Sequence, residues 1–171
     1  MLASADGRRR TTWRSGRSEG KVYQRILVPI DGSTAAERGL HEALALAAEH
    51  GARLHLLHVV DNPPMRVEMS ATTSAEELRA NRQRHGKRLL AEARRVAARA
   101  GTPADTALRE VARTRLADAI VEEAVACGCD LIVIGTPRRR GFDRLTFGSG
   151  AALVARLSPV PVLLVHEQAA A

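Results

Sequence analysis

From Tyr23 onward, short apolar runs alternate with longer stretches whose apolar residues recur every three or four positions. The runs are Arg25-Ile-Leu-Val-Pro-Ile30, Arg53-Leu-His-Leu-Leu-His-Val-Val60, the weaker Ala104 to Arg109, Asp130 to Ile134 and Pro161 to Val165. A strand that is apolar on both faces belongs in the middle of a layered fold. Helices between such strands force right-handed crossovers, so the pattern predicts an α/β fold: a five-stranded parallel sheet with helices on both faces.

The helical stretches carry their own boundaries. Asp31-Gly-Ser-Thr34 reads as the turn after the first strand, with Ser33 or Thr34 as cap. The helix it opens runs to about His50, with Ala36, Leu40, Ala43, Leu44 and Ala47 on one stripe and Gly51 as its stop. Glu76 to about Ala100 reads as a long Arg-rich helix, with Leu89, Ala93, Val96 and Ala100 facing inward. Leu116 to Ala126 reads as a third helix with Leu116, Ile120, Ala124 and Cys127 on one face. Between the second strand and the long helix, Asp61 to Thr73 is a polar, proline-marked loop.

The chain has 171 residues, which fits one domain with an extension. Residues 1–22 are rich in Gly, Ser and Arg without an apolar period, and read as a disordered basic tail ahead of a domain spanning 23–167. Residues 1–21 hold six basic and two acidic groups, so +4 of the formal net charge of +7 lies there. The high charge is therefore mainly a tail property, and nucleic acid is not an expected partner of the folded domain. No run approaches the roughly 18 apolar residues that span a bilayer, and no secretory signal is evident, so a cytoplasmic protein is expected. Cys127 and Cys129, two apart, read as small filler where a helix meets a strand.

The segment richest in chemical meaning follows the fourth strand. Gly135 is succeeded by Thr136, Pro137, Arg138, Arg139 and Arg140, then by Arg144, and a small-residue turn at Gly148-Ser149-Gly150 precedes a helix. A helix start offers unsatisfied amides and the positive end of the helix dipole, which together favour an anion such as phosphate. In parallel sheets ligands bind beyond the carboxyl ends of the strands, where the winding reverses. Asp31, Val59 to Asp61, and Gly135 onward all fall at such ends.

On these residues the chain resembles the universal stress protein family from 24 to 166. The anchors are Ile26-Leu-Val-Pro-Ile-Asp-Gly-Ser33, Leu57-His-Val59, Asp130-Leu-Ile-Val-Ile-Gly135, Phe147-Gly-Ser149 and Pro159-Val-Pro-Val-Leu-Leu-Val165. The resemblance implies the strand order 3-2-1-4-5 and binding of an adenine nucleotide, ATP with or without Mg2+. Its implied site residues are Pro29, Asp31, Val59, Ile134, Gly135, Arg138, Gly148, Ser149 and Gly150. Asp31 would serve the ribose or a metal-bound water, the Val59 backbone would meet adenine, Ile134 and Gly135 would flank base and sugar, and Ser149 would meet phosphate. The resemblance also implies a homodimer through the C-terminal edge strand, Pro161 to Val165, and a regulatory stress-response role with no catalytic residues.

One position departs from the ATP-binding pattern. Arg138 stands where that pattern has its second glycine, and Pro137 before it has no amide to donate. The arginines of this loop could replace the missing amides with charge-assisted contacts. Other readings of single residues stay open: Asp31 as a turn cap, Ser149 as a helix cap, Val59 as core. His55 and His58, three apart on one strand, point to opposite faces and read as hydrogen-bonded core groups. No Walker loop is present, and neither a nucleophile elbow nor a dinucleotide fingerprint follows the first strand. The competing functions are a stress protein that binds no nucleotide and acts as an interaction module, and an adenylating or pyrophosphatase-type enzyme on a related fold.

Overall fold

The computed structural model describes residues 22–62, 75–112, 114–137 and 149–166. Strands and helices alternate: β1 (Arg25–Pro29), α1 (Thr34–His50), β2 (Arg53–Asp61), α2 (Ala75–Arg99), β3 (Ala104–Val111), α3 (Leu116–Ala126), β4 (Leu131–Thr136), α4 (Ser149–Leu157) and β5 (Val162–His166). All pairings are parallel and the order is β3-β2-β1-β4-β5, as anticipated. The basic tail to residue 21, most of the loop after Asp61, and Arg138, Arg139, Arg140, Arg144 and Gly148 lie outside the described residues.

Alternation along the buried strands divides the interior into two cores. Ile26, Val28, Leu54, Leu56, Leu131 and Val133 face α1 and α2, whereas Leu27, Leu57, Ile132 and Ile134 face α3 and α4. Each fully buried Leu or Ile contributes about 1.5–3 kcal/mol relative to exposure. The two expected histidine orientations follow from the same alternation: His55 meets α3, and His58 meets α2 at Gly86.

Helix α1 starts as its sequence dictates. Ser33 is extended (φ −79, ψ 155) and its hydroxyl accepts from the Ala36 amide at 3.1 Å. At the other end Gly51 takes the left-handed conformation (φ 59) and its amide donates to the Ala47 carbonyl.

Two helical registers differ from expectation. On α2 the buried row is Gly86, Leu90, Ala93 and Ala97; Leu89 and Val96 are half-buried flanks, and Ala100 is exposed beyond the helix end. Apolar side chains in an Arg-rich helix are ambiguous by one position. Gly86 decides the register, because a Cβ there would collide with the His58 ring and only glycine lets α2 approach β2. On α3, Leu116 is 52% exposed, and Ala117, Ala119, Ile120, Glu123 and Ala124 form the buried face.

Candidate functional site

The carboxyl ends of β1 and β4 diverge because α1 crosses one face of the sheet and α3 and α4 cover the other. A cavity of about 320 Å³ opens at that divide. This lies within the range of small-molecule sites, at its lower end. Its walls come from four strand ends and helix starts: Pro29 to Asp31, Leu57 to Val59, Ile134 to Pro137, and Ser149 to Ala151. Seven of the nine residues implied from sequence line it: Pro29, Asp31, Val59, Ile134, Gly135, Ser149 and Gly150. The other two, Arg138 and Gly148, fall outside the described residues.

The geometry refines what several of these residues do. Asp31 Oδ1 accepts from the Ser33 amide at 2.9 Å and from the Ser33 hydroxyl at 2.6 Å, and that hydroxyl caps α1. Asp31 thus holds the turn while standing exposed at the cavity, so its capping and ligand-facing readings are compatible. It is the one carboxylate among the described lining residues. Ser149 is the first residue of α4, where backbone amides lack partners within the helix.

Gly135 has a structural reason to be glycine that is separate from any ligand. A Cβ on it would run into the carbonyl of Ala35 in α1, and a Cβ on Gly39 would lie 2.8 Å from the Gly135 amide nitrogen. The two glycines let α1 pack backbone to backbone on the end of β4. That contact sets one wall of the cavity.

Sequence reasoning missed the apolar wall supplied by α3, namely Leu116, Ala117 and Ile120, with Leu57 and Val154 beside it. Leu116, exposed at the helix start, turns toward the cavity instead of the core, which the apolar stripe of α3 alone does not distinguish. His58 also lines the cavity. Its Nδ1 lies 2.6 Å from the Ile30 carbonyl oxygen, which only accepts, so Nδ1 carries the proton and a neutral ring leaves Nε2 as an acceptor. Thr136 is buried, with its hydroxyl 3.3 Å from the Val165 carbonyl and 2.9 Å from His166 Nδ1, which ties the cavity floor to the edge strand.

At the opposite end of the sheet α3 carries a second polar group. His55 Nε2 lies 2.8 Å from Glu123 Oε1, and the Cys127 thiol lies 3.3 Å from that oxygen and 3.5 Å from His55 Nε2. His55 and Glu123 are only 4% and 6% exposed. Burial alone would raise the Glu123 pKa. Hydrogen bonds from His55 and Cys127, with the charge of Arg109 nearby, outweigh it and hold the carboxyl below its ordinary range. Burial and the neighbouring Glu123 push the Cys127 thiol up. Cys129, packed among Leu27, Ile132 and Val154, is pushed up to about 12, chiefly by burial. The filler reading describes Cys129; Cys127 is instead part of a hydrogen-bonded cluster.

A doubly wound parallel sheet with a ligand-sized cavity where its winding reverses defines a protein with its site at the topological switch point. The profile of the universal stress protein family matches residues 22–166, and the chain belongs to that family. A universal stress protein of Methanocaldococcus jannaschii is 31% identical over 88% of this chain and 86% of its own length. A crystal structure from the family in Burkholderia pseudomallei is 31% identical, with a TM-score of 0.68 over 84% of this chain and 96% of that one. A universal stress protein solved in complex with cAMP is 29% identical, with a TM-score of 0.61 over 85% of this chain and 99% of that one.

Proposed function

We propose that the chain is a regulatory stress protein that binds an adenine nucleotide in the cavity at the ends of β1 and β4. The observation that carries this reading is the convergence of Pro29, Asp31, Val59, Gly135 and Ser149, far apart in sequence, on one cavity of ligand size. The relative in complex with cAMP supports it from outside. The apolar walls of Val59, Ile120 and Ile134 suit an adenine ring, Asp31 suits ribose hydroxyls, and the amides at the start of α4 suit phosphate. With ATP, Mg2+ would be held by phosphates and the Asp31 carboxylate, since this ion takes few protein ligands.

The role is non-enzymatic: bound nucleotide changes the surface that partners meet at the mouth of the cavity. The protomer pairs with a second copy along β5, which has β4 on one side. Sedimentation of the native chain beside a Leu163→Lys variant tests that pairing, and equal mass for both rejects it.

Titration calorimetry with ATP, AMP and cAMP tests the nucleotide reading. Saturable heat with one of them is expected, and the absence of heat at millimolar concentration with a folded protein would reject it. A second reading, an interaction module without nucleotide, is favoured by Pro137, which lines the cavity yet donates no amide. A gain of affinity in Arg138→Gly over a silent native chain would establish that reading.

A further inference from the structure

We propose that His55, Glu123 and Cys127 form a site for one divalent metal ion of borderline softness, of which Zn2+ is the type. The site stands apart from the nucleotide cavity and does not rest on it. The three groups are chemically mixed, nitrogen, oxygen and sulfur, which is the donor set Zn2+ accepts. Their ligand atoms all lie within 4.8 Å of one another.

The spacings match a tetrahedron. With Zn–N and Zn–O near 2.0 Å and Zn–S near 2.3 Å, ligand edges should be about 3.3 Å for N to O and about 3.5 Å where sulfur takes part. The observed edges are 3.5 Å from sulfur to His55 Nε2, 3.3 Å from sulfur to Glu123 Oε1, and 2.8 Å from Nε2 to that oxygen. Two edges already fit. The third is a hydrogen bond, and it needs to open by about half an ångström when an ion replaces its proton.

The fold supplies the rigidity such a site needs. His55 is fixed in a strand paired on both sides. Glu123 and Cys127, four apart at the end of α3, share one helix face. The half-buried Cys127 leaves a path from solvent and a fourth position for water.

The charged groups around the site set the cost of loading. Arg109 Nε lies 3.4 Å from Glu123 Oε2 and Arg25 Nη2 lies 3.4 Å from His55 Nδ1. A guanidinium has no acceptor, so in the ion-free protein Nδ1 accepts and the ring proton sits on Nε2. On loading, that proton moves to Nδ1 and Arg25 turns wholly to Asp105, already 3.0 Å away. The Cys127 thiol loses its proton to solvent. One proton therefore leaves per ion bound, and the thiolate and carboxylate balance the ion's charge.

The test uses the full chain, free of any affinity tag, after chelation and dialysis. Co2+ should bind with one-to-one stoichiometry and a sulfur-to-cobalt charge-transfer band, and Zn2+ should displace it. The band should persist in Cys129→Ser and vanish in both Cys127→Ser and Cys127→Ala. Zn2+ affinity should fall by more than the about 10- to 100-fold that losing an outer partner costs. It should rise about tenfold per pH unit below the thiol pKa, the signature of one released proton. The native chain showing no band at saturating Co2+ would overturn the proposal whatever the variants do. Survival of the band in a folded Cys127→Ser variant would overturn it equally.

Discussion

Helix α3 separates two polar environments that are built on opposite principles. At its start, Leu116, Ala117 and Ile120 wall a cavity whose polar character comes largely from backbone ends and one exposed carboxylate. At its end, Glu123 and Cys127 join His55 in a cluster made wholly of side chains and almost closed to water. The cavity depends on what is missing, Cβ atoms and filling side chains. The cluster depends on what is present and how it is paired. Substitutions should therefore act differently at the two ends, by overpacking at the first and by stranded polar groups at the second.

The largest effect is expected at the cavity end. Gly135→Ala places a Cβ into the Ala35 carbonyl, and backbone cannot move aside as a side-chain tip can. A loss of about 3 kcal/mol or more is expected in urea unfolding, because overpacked cores cost about 1–3 kcal/mol when side chains are able to adjust. Native stability in this variant would show that α1 does not sit on β4 as described.

At the cluster end, Glu123→Gln keeps the shape and removes the charge. A loss of about 2 kcal/mol at neutral pH is expected, the range for hydrogen bonds to a charged group. Its pH dependence is the sharper test. The Glu123 pKa is lowered in the folded protein, so its contribution is fully present above the unfolded value of about 4.3 and is lost as pH falls through the lower folded value. The gap between native chain and variant should thus close in acid; a gap independent of pH would mean that the charge is not what stabilises the cluster.

The two ends also differ in how far the amino-acid sequence alone discloses them. The cavity residues stand at strand ends, next to Asp31-Gly-Ser33 and Gly148-Ser149-Gly150, where local pattern and chain order locate them. The strand order and the buried faces of β1, β2 and β4 were legible for the same reason, since a continuous apolar run has one place in such a fold. The cluster was not. His55 and Glu123 are 68 positions apart, and a glutamate on an amphipathic helix reads as part of its solvated face until β2 and β3 are laid against it. The inward row of α2 escaped for a related reason: it is set by Gly86 fitting over His58, a tertiary contact that helical period alone does not contain.

Cys129 links the two regions, because it packs in the core that α3 shares with Val154, a cavity-lining residue. Its thiol, pushed up to about 12, stays neutral in the folded protein while the unfolded chain ionises near pH 8.5. Stability is therefore fully present below about pH 8.5 and is lost as pH rises toward the folded value, by about 1.4 kcal/mol per pH unit. Cys129→Ala should flatten that alkaline slope in unfolding curves between about pH 8 and 10, around and above the unfolded value. An unchanged slope would assign the loss to other groups.

The smallest effect has the opposite sign and lies across the cavity from Gly135. Gly150 is in the first turn of α4, no atom of the described residues outside its own turn comes within 4 Å of where a Cβ would stand, and its φ is not among the positive values. None of the described residues around it requires glycine, so Gly150→Ala should stabilise the chain by about 0.5–1 kcal/mol through the unfolded state and helix propensity. The same substitution thus destabilises on one wall of the cavity and stabilises on the other, because α1 closes against the first wall and the second faces open space. A urea midpoint that falls in Gly150→Ala would mean that the start of α4 needs glycine's backbone freedom, and that the emptiness beside it is not available to a methyl group.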